Sequence, residues 1–116
     1  METIRYVNEW PWGTNIVHIC NDGLGTIGVS KEPEDDFGFI HDLVVHETAR
    51  NQGRGQYLLG LAELEITRTF KCRYAVLRVV HGSWVEQWYK RNGYVQWHDS
   101  PFGYPTDGFI ELRKEL

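Results

Sequence analysis

No run of apolar residues in this chain reaches the roughly 20 that a bilayer-spanning helix needs. The polar opening METIRYVNE also lacks the basic and apolar regions of a secretion signal. Residence in the cytoplasm, with no membrane partner, is therefore the expectation. Cysteine is scarce. Only Cys20 and Cys72 occur, both in or beside segments expected to be core strands, so two buried thiols are expected in place of a disulfide framework. The five histidines are scattered and no Cys/His set has the spacing of zinc ligands, so no metal is expected. Positive charge is short as well: the formal net charge is -4 and the basic residues form no long patch. That argues against nucleic acid as a partner, because phosphate contacts need an electropositive footprint. Repeats and low-complexity segments are lacking too, and 116 residues suit one domain, residues 1–116, with a single core.

What the chain does contain is concentrated between Phe37 and Leu59, FGFIHDLVVHETARNQGRGQYLL. Here an apolar, strand-like segment gives way to a glycine-marked helix start. Arg50, Gly53 and Gly55 form R-x-x-G-x-G, and Leu58, Leu59, Ala62 and Ile66 follow at the spacing of one apolar helical face. The glycines thus mark a helix entrance, where the first N–H groups lack intrahelical acceptors and the dipole favours an anion such as a diphosphate. Arg50 and Arg54 would add charge-assisted hydrogen bonds. Neither the dinucleotide fingerprint nor the P-loop is present. On composition alone, the glycines could equally serve close packing of helix on sheet.

Periodicity and turn residues predict strands at about 15–20 and 25–30, joined by Asn21, Asp22 and Gly23. A third, central strand is predicted at about 37–45, after a charged loop at about 31–36. A long helix is expected over about 52–69, then a strand at Tyr74 to Val80 and a helix from about Ser83, its N-cap, to Arg91. Asn92-Gly93 ends that helix, and strands close the chain at Tyr94 to His98 and Phe109 to Arg113. The order β-β-β-α-β-α-β-β makes an α/β (α+β) fold, an open mixed sheet, mostly antiparallel, flanked by helices.

From Leu43 to Tyr94 the chain resembles the GCN5-related N-acetyltransferase (GNAT) family. LVVHETARNQGRG matches the family's strand followed by Arg/Gln-x-x-Gly-x-Gly/Ala, and WVEQWYKRNGY matches its second motif, Phe-Tyr-x-x-x-Gly-Phe on a short helix. The resemblance covers about half of the chain directly. It implies an acyltransferase that uses acetyl-CoA, or another short acyl-CoA, to acetylate an amine on a small molecule or peptide. It also implies that a bulge splays the strand before the glycine motif, whose backbone at Leu43, Val44 and Val45 binds the pantetheine arm. The diphosphate would rest on the turn formed by Arg50, Asn51, Gln52, Gly53, Arg54, Gly55 and Gln56.

Acyl transfer from a thioester requires the attacking ammonium, of pKa about 10.4 in solution, to lose a proton first. The departing thiolate then needs a proton or a close hydrogen bond. Tyr89 holds the family's tyrosine position and is the candidate for the second role. His41 and Asp42 precede the apolar end of the central strand and are candidates for the first, with strand alternation expected to turn only one of them into the cleft. His46 and His81 read as loop caps or surface residues, and Trp84 and Trp88 as core or interface. The acidic run Glu32, Glu34, Asp35, Asp36 is either a solvated loop or a lure for a cationic amine.

The chain departs from the family in two places. Only about fourteen residues, among them Trp10 and Trp12, precede the first expected strand, where the family has a strand and two helices of the acceptor wall. That wall must be reduced, built by a loop such as SPFGYPTDG, or supplied by a second copy in a homodimer. Gly82 stands where the family often carries a cofactor-contacting asparagine. Both departures leave open an acyl-CoA-binding module without efficient transfer, or a structural interaction domain.

Overall fold

The computed structural model describes residues 1–100 and 108–116. The expected loop SPFGYPTDG falls largely on 101–107 and lies outside the described residues. One seven-stranded sheet runs in the order β1-β2-β3-β4-β5-β7-β6. Its strands are β1 (Thr3–Trp10), β2 (Gly13–Cys20), β3 (Gly25–Lys31), β4 (Phe37–Val45), β5 (Tyr74–Val80), β6 (Val95–Gln96) and β7 (Phe109–Glu115). The pair β4–β5 is parallel and the other five pairings are antiparallel. Helix α1 (Arg54–Leu64) crosses from β4 to β5, and α2 (Trp84–Arg91) joins β5 to β6.

The sheet, the crossover helix and the short helix stand where the sequence predicts them, and the front of the chain adds a strand. Residues 3–10 pair with β2 from Thr3 opposite Cys20 to Trp10 opposite Gly13, around the two-residue loop Pro11-Trp12. An edge strand exposed along most of both faces carries no period-2 apolar signal, which is why the pattern is silent there. Helix α1 begins at Arg54, two residues later than expected, because Asn51 (φ 62°) and Gly53 (φ 75°) are left-handed and cannot be helical. Beyond Leu64 it runs on as a π-helical turn, Glu65–Thr69.

Both helices lie on the same face of the sheet. Leu58 and Ala62 of α1, Ile66 of the π-helical turn that follows it and Tyr89 of α2 form one core with Ile16, Ile27, Ile40, Leu77 and Leu112 from alternating strand positions. The other face carries no helix among the described residues. Cys20 and Cys72 are buried free thiols within or beside this core.

The π-helical turn brings Glu65 beneath the β1–β2 edge. Its carboxylate accepts from Arg5 of β1, from His18 Nε2 of β2 at 2.7 Å and from Thr69 Oγ1 at 2.6 Å. Burial alone would raise its pKa, yet the hydrogen bonds from Arg5, Thr69 and His18 outweigh burial and lower it from 4.5 to about 2. A depressed carboxylate pKa contributes stability that is present above pH 4.5 and lost as the pH falls towards 2. Glu65→Gln is expected to cost about 1–2 kcal/mol at neutral pH, the pair with the half-exposed Arg5 being screened by solvent. It should also flatten the pH dependence of unfolding between pH 4.5 and 2, measured by urea denaturation at stepped pH.

Candidate active site

The site begins with a failure of pairing. Strands β4 and β5 meet in register only at Phe37–Tyr74, Gly38–Ala75 and Phe39–Val76, although β4 continues to Val45 and β5 to Val80. Between them opens a fork whose β4 side presents backbone groups with no strand partner. The other edge of β4 is bulged. His41 pairs with Gly28 and Val44 with Thr26, so Ile27 alone faces Asp42 and Leu43, and Asp42 takes φ 54°.

After β4 the chain makes a 3₁₀ turn, Glu47–Ala49, capped by His46 Nδ1, which accepts from the Thr48 amide at 3.2 Å. Arg50 Nε then reaches back to the Val45 carbonyl at 3.1 Å, and the left-handed Gly53 starts α1. A cavity of about 710 Å³ lies between these elements and α2. Leu43, Val44, Val45, Arg50, Asn51, Gly53, Arg54, Gly55 and Gln56 all lie on its wall; Gln52 does not. One expectation changes: the Arg54 guanidinium is held by Asp22, with Nη1 at 2.7 and 2.9 Å from the two carboxylate oxygens. That leaves Arg54 to serve a ligand through its amide. A second cation on the wall, Arg91, was not anticipated. The spacing of Trp84, Trp88 and Arg91 along one helical face would have pointed to it. Trp88 packs against Gly55, whereas Trp84 is largely exposed on the cavity rim and not in the core.

Tyr89 is 6% exposed, with its ring edge-on to Trp88 and Tyr94 at 4.9 and 5.5 Å. It lines the same cavity, and its hydroxyl has no hydrogen-bond partner among the described residues. Burial pushes its pKa up to about 12, so at neutral pH it is a proton-bearing donor. Tyr94, by contrast, gives its hydroxyl to Glu63 at 2.8 Å. The helix that presents Tyr89 is fixed at its start by Ser83, whose Oγ accepts from the Glu86 amide at 3.2 Å. The Glu86 carboxylate in turn takes the Lys90 ammonium at 2.6 Å, the Gly82 amide at 2.7 Å and His81 Nδ1 at 3.1 Å. Lys90 first, then the Gly82 amide, hold its pKa down at about 2. Ser83-x-x-Glu86 has the spacing of a capping box, the sequence signal by which this brace is readable. Gly82 itself is left-handed (φ 81°) with open space where a side chain would begin.

His41 and Asp42 belong to the opposite, helix-free face. The bulge interrupts strand alternation and brings the two side chains together, although neither lines the cavity beside α1 and α2. His41 Nδ1 lies 2.8 Å from Asp42 Oδ2, and Nε2 lies 2.8 Å from Asn15 Oδ1 on β2. The imidazole thus bridges from β4 across β3 to β2. It can lie there because residue 28 is glycine: a Cβ at Gly28 would sit 2.3 Å from His41 Cε1. His46 and His81 stay in their turn-stabilising roles. No group of three or more metal-ligating side chains occurs among the described residues.

Residues 12–96 match the Acetyltransferase (GNAT) domain family. Among solved structures, a GNAT-family acetyltransferase from Staphylococcus aureus superposes with a TM-score of 0.70 at 20% identity, covering 91% of this chain and 69% of that one. A GNAT-family acetyltransferase from Elizabethkingia anophelis, with acetyl-CoA bound, gives 0.65 at 21% identity over 90% and 77%. The PaiA N-acetyltransferase of Thermoplasma acidophilum, in complex with coenzyme A, gives 0.66 at 15% over 88% and 60%. At these identities the likeness is one of fold. No curated protein matches the chain by sequence.

Gly28→Ala is expected to leave the protein folded, because the atom in the way is the far end of a side chain, and to expel the imidazole from its berth on Asn15. Side-chain ¹⁵N shifts of His41 should then move to those of an exposed histidine, while the thermal midpoint changes by only about a few degrees.

Proposed function

The chain belongs to the GNAT acetyltransferase family, and from that premise we propose that it transfers an acetyl group from acetyl-CoA to a primary amine of a small molecule or peptide. One observation carries the reading. The unpaired edge of β4, the residues at the start of α1 and Tyr89 line one cavity. Its wall holds the Arg50 and Arg91 side chains and no carboxylate among the described residues. A long, polyanionic ligand with an amide-bearing arm fits such a groove. The phosphates suit the helix amides and arginines, and the arm suits the open strand edge, which would otherwise leave N–H and C=O groups without partners. The acetyl-CoA in the Elizabethkingia protein supports the same assignment. Bound there, acetyl-CoA supplies the activated acyl group as a thioester.

The residues of this chain then have separable tasks. Amides of the bulged strand are placed to hold the carbonyl oxygen as negative charge develops on it. An alkylammonium of pKa about 10.4 is free amine to only about one part in 2,500 at pH 7. His41 and Asp42, at the base of the fork on the other face, are the groups available to relay its proton outward. Both His41 nitrogens are engaged, so that relay requires Asn15 to release Nε2. Tyr89 has a narrower role than proton donation. With a pKa of about 12, it sits about 3.5 units above an ordinary thiol, and full transfer to the thiolate would be uphill by about 5 kcal/mol. It stabilises the departing thiolate by a charge-assisted hydrogen bond, and the proton that neutralises the thiol comes from the attacking amine through solvent.

Two features favour the competing reading, an acyl-CoA-binding module without efficient transfer. Gly82 offers no side chain to the cofactor, and with a two-residue β1–β2 loop the acceptor face carries no helix among the described residues. Amine-dependent release of free thiol from acetyl-CoA, measured over an amine panel, separates the two; binding without release would select the module.

Tyr89→Phe is expected to lower kcat about 10- to 100-fold, the worth of one hydrogen bond to a charged atom. The KM for acetyl-CoA should change less than about threefold, and equal damage to both would remove the assigned role. Gly53→Val, which forces a β-branched residue into the left-handed region, should instead raise the KM for acetyl-CoA about tenfold or more.

A further inference from the structure

A second cavity, about 400 Å³, lies on the helix-free face and is lined by Trp10, Trp12, Phe39, Asn15, Asp35 and Glu111 among others. Unlike the cofactor groove it carries carboxylates, three of them, Glu32, Asp35 and Glu111, against two cations, Lys31 and Arg78. Glu111 on β7 is 3% exposed, yet its Oε1 accepts no hydrogen bond among the described residues. The nearest cation is Arg78 Nε at 3.9 Å, beyond hydrogen-bond reach, and that guanidinium lies over the Phe109 ring. Lys31, also on the wall, spends its ammonium on the carbonyls of Glu32 and Pro33 at 2.8 and 3.1 Å. A buried carboxylate oxygen left short of a donor is costly, and it faces a space walled by aromatic rings. Trp10 and Trp12 stack at 6.2 Å across the hairpin, offering π faces suited to a cation. Glu32 and Asp35 of the acidic loop stand on the same wall.

We propose that this cavity selects an acceptor carrying a second positive charge, an alkyl diamine, with Glu111 taking the ammonium that does not react. The inference rests on the acetyltransferase reading and names its substrate class. Asn15 and Phe39 carry the cavity wall up to the His41 ring, at 2.8 Å and 6.5 Å respectively. An alkyl chain lying along the aromatics therefore runs from Glu111 to the base of the β4–β5 fork. There the free amine nitrogen forms the new C–N bond as the C–S bond of the thioester breaks. The electron pair of that bond leaves on sulfur, and the proton lost by nitrogen ends on the thiol. The second ammonium remains unchanged at Glu111. Lysine or arginine in place of Glu111 would have produced the opposite preference, for acceptors bearing a carboxylate.

Initial rates of thiol release are measured with 1,4-diaminobutane, with butylamine, which lacks the second charge, and with glycine, whose carboxylate would have to rely on Arg78. The expected kcat/KM for the diamine exceeds that for butylamine by about tenfold or more. In Glu111→Gln the ratio falls towards one. Trp12→Ala, at an exposed hairpin position, is a second variant that should shrink the same ratio if Glu111→Gln does not fold, as judged by circular dichroism. Equal kcat/KM for diamine and butylamine in the natural protein overturns the proposal, as does a ratio that survives in folded Glu111→Gln or a preference for glycine. Calorimetry with 1,4-diaminobutane keeps the site separate from the reaction. Binding that is lost in Glu111→Gln without any thiol release sinks the acetyltransferase reading and keeps the cation site, whereas no binding by the natural protein sinks the site.

Discussion

Parallel pairing between β4 and β5 stops after three residues, and the remaining features of the site depend on that interruption. Backbone hydrogen bonding is obligatory in a covered sheet, so a strand edge left open beside its neighbour is tolerated only where something else can satisfy it. Here three features cooperate to hold the fork open. The bulge at Asp42 turns β4, the left-handed turn at Asn51 and Gly53 lifts the chain into α1, and the Glu86 brace fixes α2 against the far side. The helices then place free amides and a buried phenol along the gap. Core packing of α1 and α2 on a single face supplies the rigidity, and the other face carries no helix among the described residues.

Charge divides between those faces. The groove on the helix side holds Arg50 and Arg91 and no carboxylate on its wall among the described residues, whereas the cavity on the open side holds three carboxylates, Glu32, Asp35 and the under-bonded Glu111, against two cations, Lys31 and Arg78. An anionic acyl donor and a cationic acceptor approaching from opposite sides of a sheet would each meet a complementary field and neither would compete for the other's place. The fork is an opening in the sheet between the two sides. His41 lies there because Gly28 leaves its ring room, and Asp42 lies beside it because the bulge defeats alternation.

Much of this was legible in the residues before any coordinates. The long apolar run of β4, the R-x-x-G-x-G turn and the helical stripe of Leu58, Ala62 and Ile66 are local signals, and the structure places them where periodicity and glycine chemistry put them. The strand β1 was not legible, since most of both its faces meet solvent and nothing forces its side chains to alternate. The engagement of the Arg54 guanidinium was not legible either, for a different reason. Its salt bridge to Asp22 spans 32 residues of chain and depends on how the β2–β3 turn folds over α1, which no local pattern encodes. Glu111 was missed because a single glutamate in a strand near the chain's end looks like an ordinary polar alternation. Only burial with an oxygen that accepts no hydrogen bond among the described residues distinguishes it.

The central claim is that acetyl-CoA lies in the β4–β5 fork against backbone amides. It is tested most directly by a ¹H–¹⁵N correlation titration of the uniformly labelled protein with acetyl-CoA, with dephospho-CoA and adenosine as comparison ligands. The account predicts saturable shifts concentrated at the amides of Leu43 to Val45, of Gly53 to Gln56 and of the α2 residues around Tyr89. Shifts confined to the opposite face, or none in a well-dispersed spectrum, would contradict it.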